Sequence, residues 1–427
     1  MTHGYTPIDK IQIYASLRAT FRSGLTKPIA WRQHQLLQLA LRSTPIWASR
    51  CMMHEVVMGE ITPVFDRALT CVSKIEEWSK DKSITDQVQD WQKGWTSRIM
   101  RRAKGVVLII ACYPMILSLQ PLYGALLSSS SPKSHHITLR SSLTICRSYP
   151  DKDAFRVALG GVPEITKMLE LKWDHIFYTG NGRVARIVAT AAAKHLTPFT
   201  LELGGKSPVI VDTTADIQLA AKRTLAGKTT NCDQICVTPD FFLVERLVAS
   251  KFVEACGALN MPSYGAYERL KGLLDRTKGI EPTVIADVEP GDSLLEGEIY
   301  GPFLPIVTVE NVDGAIDYIN DHDHPLVLYF LLQTTLRRRK NTTNGNVCIN
   351  DTFIQLSISE MPFCGVQYYS YENFVYGRAL CEIPYEEEPF DMLRYPSYTA
   401  ESVAFFSQVM KTPILKSTNP AEVEVKN

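Results

Sequence analysis

The chain of 427 residues lacks a net charge, because 45 lysines and arginines balance 45 aspartates and glutamates. A balanced chain exerts no overall attraction on nucleic acid or on an anionic surface, so nucleic acid is not expected as a partner. The sequence also lacks an apolar run of the roughly 20 residues that a membrane-spanning helix requires. Its apolar stretch at 106–112 has the length of a buried strand instead.

The first ten residues lack the apolar core of a secretion signal, so we expect a cytoplasmic protein. Its ten cysteines are then expected to be thiols rather than disulfides. No second Cys or His pair stands at zinc-finger spacing from Cys232 and Cys236, so no metal is expected. Apolar residues at 403–406 and 413–415 are enough to touch a membrane but too few to cross it, which predicts at most peripheral association.

Strand-like and helix-like stretches alternate along most of the chain. Apolar runs at 104–110, 173–180 and 208–212 are typical of strands that are covered on both faces. Helical patterns follow them, and this alternation predicts an α/β fold with a parallel sheet. Before these strands, residues 7–42 are predicted to be helical with a break at Pro28.

A glycine turn in Phe177-Tyr-Thr-Gly-Asn-Gly-Arg-Val joins the end of a predicted strand to the start of a helix. Backbone N–H groups in such a turn lie at the positive end of the helix dipole, an arrangement that binds phosphate. Many strand-to-helix turns contain glycine, so the alternative of a turn without a ligand stays open.

Two glutamates accompany glycine turns. Glu202 lies between leucines just before Gly204-Gly205, and burial there would raise its pKa towards the range of a general base. The alternative is a glutamate that points to solvent from a strand edge. Glu298 lies beside Tyr300 and a Gly-Pro turn, where an acid can hold a ribose hydroxyl and an aromatic side chain can flank a ring.

Cys236 closes the stretch Asn231-Cys-Asp-Gln-Ile-Cys, in a predicted turn that leads into a strand. Nearby backbone amides and a helix end can lower the pKa of a thiol and make it a nucleophile. The alternative for an isolated cysteine is a small buried hydrophobic residue. Cys232 is the local rival.

In order and spacing, these motifs resemble the aldehyde dehydrogenase family, specifically its class 3 or fatty-aldehyde branch and, within it, fungal members. The resemblance extends over almost the whole chain. It is carried by Ile13–Gly24, Gly105–Ile110, Gly160–Glu164, Trp173–Asp212, the cysteine segment through Asp240, Glu298–Pro302, Asn350-Asp351 and Pro362–Val366.

The resemblance implies the aldehyde dehydrogenase fold, with a Rossmann-like NAD(P)-binding domain at 1–206 and an α/β catalytic domain at 207–375. It also implies a small oligomerisation arm near 112–135, a C-terminal tail at 376–427 that is peripheral or aids oligomerisation, and a homodimer. The implied substrate is a small-molecule aldehyde of the aliphatic, fatty or terpenoid class.

By the same resemblance, Cys236 would attack the aldehyde carbonyl, and hydride would pass from the thiohemiacetal to NAD or NADP. Glu202 would then activate the water that hydrolyses the resulting thioester. Cys236 is preferred over Cys232 because the family pattern Asn-x-Gly-Gln-x-Cys aligns on Asn231, Gln234 and Cys236.

The resemblance also implies a cofactor site. Thr179, Gly180 and Asn181 would border the nicotinamide and the pyrophosphate. Glu298 would hold the nicotinamide ribose, with Tyr300 in place of the family's phenylalanine.

Several segments depart from the family pattern. Ala-Cys-Tyr-Pro at 111–114 replaces a Trp-Asn pair whose Asn serves in the oxyanion hole, a loss that typically costs about 10²–10³ in rate. Asp233 replaces a glycine, and its charge is expected to raise the thiol pKa. Two alternatives follow: a catalytically impaired homologue that keeps the fold, and a cofactor-independent, esterase-like hydrolase that needs only Cys236 and Glu202.

Overall fold

The computed structural model of the protein describes residues 10–49, 62–80, 82–83, 98–99, 104–110, 125–129, 151, 153–159, 161–258, 283–301, 303–333, 342–358, 379–382, 399–402 and 404. The chain divides into two compact units, one of Met1–Thr200 with Thr412–Asn427 and one of Leu201–Lys411. The division follows Thr200, close to the boundary expected after residue 206. None of the described helices is long and apolar enough to cross a membrane.

The first unit begins with α-helices, as the sequence predicts for residues 7–42. The helices are α1 (Lys10–Ser23), α2 (Ile29–Ser49) and α3 (Thr62–Trp78). The predicted break at Pro28 is confirmed, because α1 ends before it and α2 begins directly after it. Helices α2 and α3 share a small apolar core of Leu36, Leu37, Cys71 and Val72. Two short strands, β1 (Lys82–Ser83) and β2 (Arg98–Ile99), pair antiparallel.

In the described residues, five strands form one sheet in the order β5-β4-β3-β6-β7, and the last of them runs across the division that follows Thr200. They are β3 (Val107–Ile110), β4 (Ala125–Ser129), β5 (Arg156–Leu159), β6 (His175–Gly180) and β7 (Phe199–Leu203). Helix α4 (Val162–Leu169) precedes β6, and α5 (Gly182–Ala193) follows it. β3 pairs parallel with β4 and β6, and all four of its residues are buried, as its apolar run predicts.

Residues 125–129 fall within the oligomerisation arm expected near 112–135, yet they form β4, which pairs with β3 on one side and β5 on the other. An interior strand has both edges hydrogen-bonded, so these five residues belong to the sheet. The rest of 112–135 lies outside the described residues.

The second unit contains a parallel sheet, which in the described residues has seven strands in the order β10-β11-β9-β8-β12-β13-β14. They are β8 (Pro208–Val211), β9 (Phe241–Glu245), β10 (Thr283–Ile285), β11 (Phe303–Val309), β12 (Val327–Leu331), β13 (Asn346–Ile349) and β14 (Ala379–Glu382). The α-helices described in this unit are α6 (Ile217–Thr229), α7 (Arg246–Ala258) and α8 (Val312–Asn320).

This sheet is covered on both faces. Val209 and Val211 of β8 belong to one apolar core with residues of α6 and α7, whereas Ile210 belongs to a second core with residues of α8. Neighbouring residues of a strand point to opposite faces, so the two cores lie on opposite sides of the sheet. The α/β fold class predicted from the sequence is confirmed.

Candidate active site

Cys236 lies in the turn between α6 and β9, as predicted, and we call residues 233–240 the cysteine turn. Its side chain is half-buried and packs against the apolar core under α6 and α7. Cys71, Cys256 and Cys348 are fully buried. Burial raises the pKa of the Cys71 thiol to about 11 and that of Cys256 to about 12, so both stay protonated. Among the cysteine side chains that the structure describes, Cys236 is the most accessible, because the others are buried.

The cysteine turn is fixed by hydroxyl groups on either side of the cysteine. The amide and the hydroxyl of Thr238 both donate to the carbonyl oxygen of Ile235, at 3.0 and 2.7 Å. The hydroxyl of Tyr329 donates to the carbonyl oxygen of Val237, and Gln355 Nε2 donates to Tyr329 Oη at 3.1 Å. These bonds hold the backbone on both sides of the thiol in one conformation.

Asp233 begins the turn with a positive φ of 67°, a conformation that aspartate tolerates better than most residues. Its carboxylate is buried, and Oδ2 lies 2.6 Å from Nζ of the fully buried Lys228. Burial raises the pKa of Asp233 and lowers that of Lys228, while their ionic contact opposes both shifts. The sequence predicts that a carboxylate at this position raises the thiol pKa by repulsion, and the structure places the opposite charge of Lys228 beside that carboxylate.

Glu202 lies on β7 and is only 4% exposed. The alternative of a glutamate that points to solvent from a strand edge is therefore wrong. The general-base hypothesis requires that Glu202 be buried, and the structure meets this requirement.

Glu298 lies in residues 294–301, which we call the Glu298 segment and which lead into β11. The hydroxyl of Tyr300 donates to Glu298 Oε1 at 2.8 Å, and the amide of Gly205 also donates to this carboxylate. Burial raises the pKa of Glu298. A Cβ atom on Gly204 would lie 2.4 Å from Glu298 Oε1, so the glycine leaves room for the carboxylate. Tyr300 thus orients the acid that the sequence assigned to a ribose.

Two further residues hold the Glu298 segment, and no sequence pattern pointed to either of them. Lys206 Nζ donates to the carbonyl oxygens of Leu294 and Gly297 at 2.9 and 2.8 Å. The amide of Ile299 donates to Asp240 Oδ1 at 3.0 Å. Lys206 and Asp240 are themselves 3.9 Å apart and largely buried.

In the first unit, Thr179 and Gly180 end β6, and Asn181 lies between β6 and α5, where the sequence predicts the glycine turn. Asn181 Oδ1 accepts a hydrogen bond of 3.0 Å from the amide of Val184 and so caps α5. Gly180 has a φ of 150°, and a Cβ atom there would lie 2.4 Å from Tyr178 Oη. The amides at the start of α5 are suited to the anionic pyrophosphate of a dinucleotide.

These residues fit NAD or NADP in two respects, each within its own unit. The turn before α5 offers amides at a helix start for a pyrophosphate. The Glu298 carboxylate, oriented by Tyr300, offers an acceptor for a ribose hydroxyl.

Comparison with known proteins agrees with these features. Residues 53–260 and 264–380 match the model of the aldehyde dehydrogenase family. Aldehyde dehydrogenase family 3 member A2 of Mus musculus is 31% identical over 445 residues, which cover 91% of this chain and 92% of that protein. The dimeric NADP-preferring aldehyde dehydrogenase of Mus musculus is 32% identical over 442 residues, or 90% of this chain and 97% of that protein.

A solved structure extends the likeness to three dimensions. AldH of Staphylococcus aureus, in a substrate-bound state, is 28% identical with a TM-score of 0.75, and the match covers 86% of this chain and 92% of that one. The resemblance to the aldehyde dehydrogenase family and to its class 3 branch is thereby confirmed. The chain belongs to the aldehyde dehydrogenase family, whose members oxidise aldehydes with NAD or NADP.

Proposed function

We propose that this chain oxidises an aliphatic, fatty or terpenoid aldehyde to the carboxylic acid with Cys236 as nucleophile. The observation that carries this proposal is the cysteine turn, in which a half-buried thiol stands on a backbone fixed by Thr238 and Tyr329. A nucleophile held in one position avoids part of the entropic cost of reaching the transition state.

In this proposal Cys236 attacks as the thiolate, so that its sulfur bonds to the carbonyl carbon and a thiohemiacetal forms. Bound NAD or NADP supplies the acceptor for the hydride that leaves this carbon. Glu202 then takes a proton from a water molecule, whose oxygen attacks the thioester carbon. The carbon–sulfur bond breaks, the acid is released and the Cys236 thiolate is restored.

The cofactor residues are part of the same proposal. We assign Glu298 to the nicotinamide ribose with Tyr300 beside it, which is supported by the hydrogen bond between their side chains. Thr179, Gly180 and Asn181 are assigned to the pyrophosphate and the nicotinamide, which is supported by the helix start that they precede. We further propose that the first unit is the cofactor domain and the second the catalytic domain.

The assembly and the location of the protein are further parts of the proposal. A homodimer is supported by the mouse relative that is named as dimeric. Action in the cytoplasm, with peripheral membrane contact through the apolar C-terminal residues, is the expectation for location.

The second candidate function is a catalytically impaired homologue. It is favoured by the sequence Ala-Cys-Tyr-Pro at 111–114, which lacks the oxyanion-hole asparagine of the family.

The test is formation of NADH or NADPH from decanal by the wild type and by Cys236→Ala. We expect turnover by the wild type and only the background rate in Cys236→Ala, because residues 233–240 contain no other cysteine. Cys256→Ala, a change of the same type in α7, is expected to keep the wild-type rate.

Activity that survives in Cys236→Ala would show that another group is the nucleophile. A folded wild type that binds NADPH but forms no product would support the impaired homologue.

A further inference from the structure

The backbone of the Glu298 segment is held at several points by two buried or largely buried ion pairs. Lys206 binds two carbonyl oxygens that precede Glu298, and its partner Asp240 binds an amide that follows it. Beyond these, the amide of Gly301 donates to Asp233 Oδ2 at 3.1 Å. The segment is therefore fixed on both sides of Glu298.

The bond from Gly301 differs from the others because Asp233 is part of the cysteine turn. Asp233 Oδ2 accepts from the amide of Gly301 and also from Nζ of Lys228 at the end of α6. A single carboxylate oxygen thus connects the turn that carries Cys236 to the segment that carries Glu298.

The backbone conformation gives a second reason to ascribe a role to this side chain. At a φ of 67° a glycine would be free of steric strain, whereas a residue with a Cβ atom is not. Glycine is also what the family pattern has at this position. The strain and the cost of burying a carboxylate are offset here by the two hydrogen bonds, which glycine cannot form.

We infer that Asp233 is a positioning residue, which fixes the spacing between the Cys236 thiol and the Glu298 carboxylate by binding Lys228 and the amide of Gly301. The benefit to the cofactor rests on the proposed function of Glu298. The link between the turn and the segment does not, since it is made of contacts within the second unit alone.

Hydrogen–deuterium exchange tests the link directly. In Asp233→Ala, we expect the amides of residues 299–301 to exchange at least about 10-fold faster than in the wild type, because a charged acceptor worth over 1.4 kcal/mol is lost. Exchange in β9 measures the general loss of stability from leaving Lys228 buried without a counter-charge, and the rise at 299–301 is expected to exceed it. Asp287→Ala is the matched control, since Asp287 also has a positive φ, of 56°, but is exposed and outside the Glu298 segment.

The double variant Asp233→Asn with Lys228→Met provides the rescue. Asparagine keeps an oxygen acceptor for Gly301, and methionine removes the cation that would otherwise be buried without a counter-charge. We expect exchange at 299–301 in this variant to stay within about threefold of the wild type, given that a neutral acceptor contributes less than a charged one.

Binding of NADPH, followed by fluorescence, tests the positioning. We expect its dissociation constant to rise about 10-fold in Asp233→Ala, a loss of about 1.4 kcal/mol, and to stay unchanged in Asp287→Ala. Equal exchange at 299–301 in these two variants would overturn the link. Faster exchange in Asp233→Ala with an unchanged dissociation constant would overturn the positioning role. A wild type that binds no NADPH would instead refute the proposed function, while exchange would still decide the link.

Discussion

Replacing Lys228 with methionine is expected to lower the free energy of unfolding by roughly 3–5 kcal/mol. The Lys228 side chain is fully buried, and its ammonium lies 2.6 Å from the carboxylate of Asp233, which is 1% exposed. Methionine fills much of the same space but leaves this carboxylate buried without a counter-charge. Urea unfolding at neutral pH, with the slope compared between variants, measures the loss.

The same helix offers a matched control, because Lys222 of α6 is exposed. Lys222→Met is expected to change the free energy of unfolding by less than about 0.5 kcal/mol. In Lys228→Met the folded state favours protonated Asp233, so its pKa lies above the unfolded value. The deficit in stability is then full above that raised pKa and shrinks as the pH falls towards about 4. Equal losses in the two lysine variants would refute the buried ion pair.

Replacing Glu202 with glutamine is expected to lower steady-state turnover by about 10²–10⁴-fold, the usual contribution of a general base. Hydride transfer precedes the step in which Glu202 acts. The first turnover should therefore still release one NADH or NADPH per active site. Rapid mixing with decanal should show this burst, followed by a slow phase.

Glu254→Gln is the control for this change, because Glu254 is exposed on α7. It should keep both the burst and the wild-type steady rate. A Glu202→Gln variant that loses the burst as well would place Glu202 in an earlier step, and an unchanged steady rate would remove it from the mechanism.

Much of the fold was predictable from local pattern. The apolar run at 104–110 predicted the strand β3. The Gly-Asn-Gly turn after Thr179 predicted the junction between β6 and α5, and both elements lie where they were predicted. Both depend on residues that are close in sequence: apolar side chains for a doubly covered strand, and a capping asparagine at a helix start.

Other strands were missed for physical reasons. β12 is a short apolar run whose residues are all buried, and periodicity alone does not separate such a run from a buried helix. β4, with the sequence Ala-Leu-Leu-Ser-Ser, has few β-branched residues, and its strand conformation depends on pairing with β3 and β5. The conformation of these strands therefore depends on pairing with strands that are distant in the chain.

In the candidate site, too, local sequence predicted some features, whereas others depend on distant residues. The position of Cys236 before a strand and the burial of Glu202 agree with the sequence prediction. The cation beside Asp233 was not predicted, because the sequence indicated only the carboxylate and its effect on the thiol. Which side chain faces Asp233 depends on how α6 ends, and the contact with Gly301 joins residues that are far apart in the sequence.

The most direct test of Cys236 as the nucleophile is to locate the acyl group that Glu202→Gln should retain after one turnover. The variant would be mixed with decanal and NAD or NADP, quenched, digested and examined by fragment mass spectrometry. We expect the added decanoyl mass on Cys236. Decanoyl on Cys232, or no covalent adduct despite a burst of NADH or NADPH, would contradict the assignment.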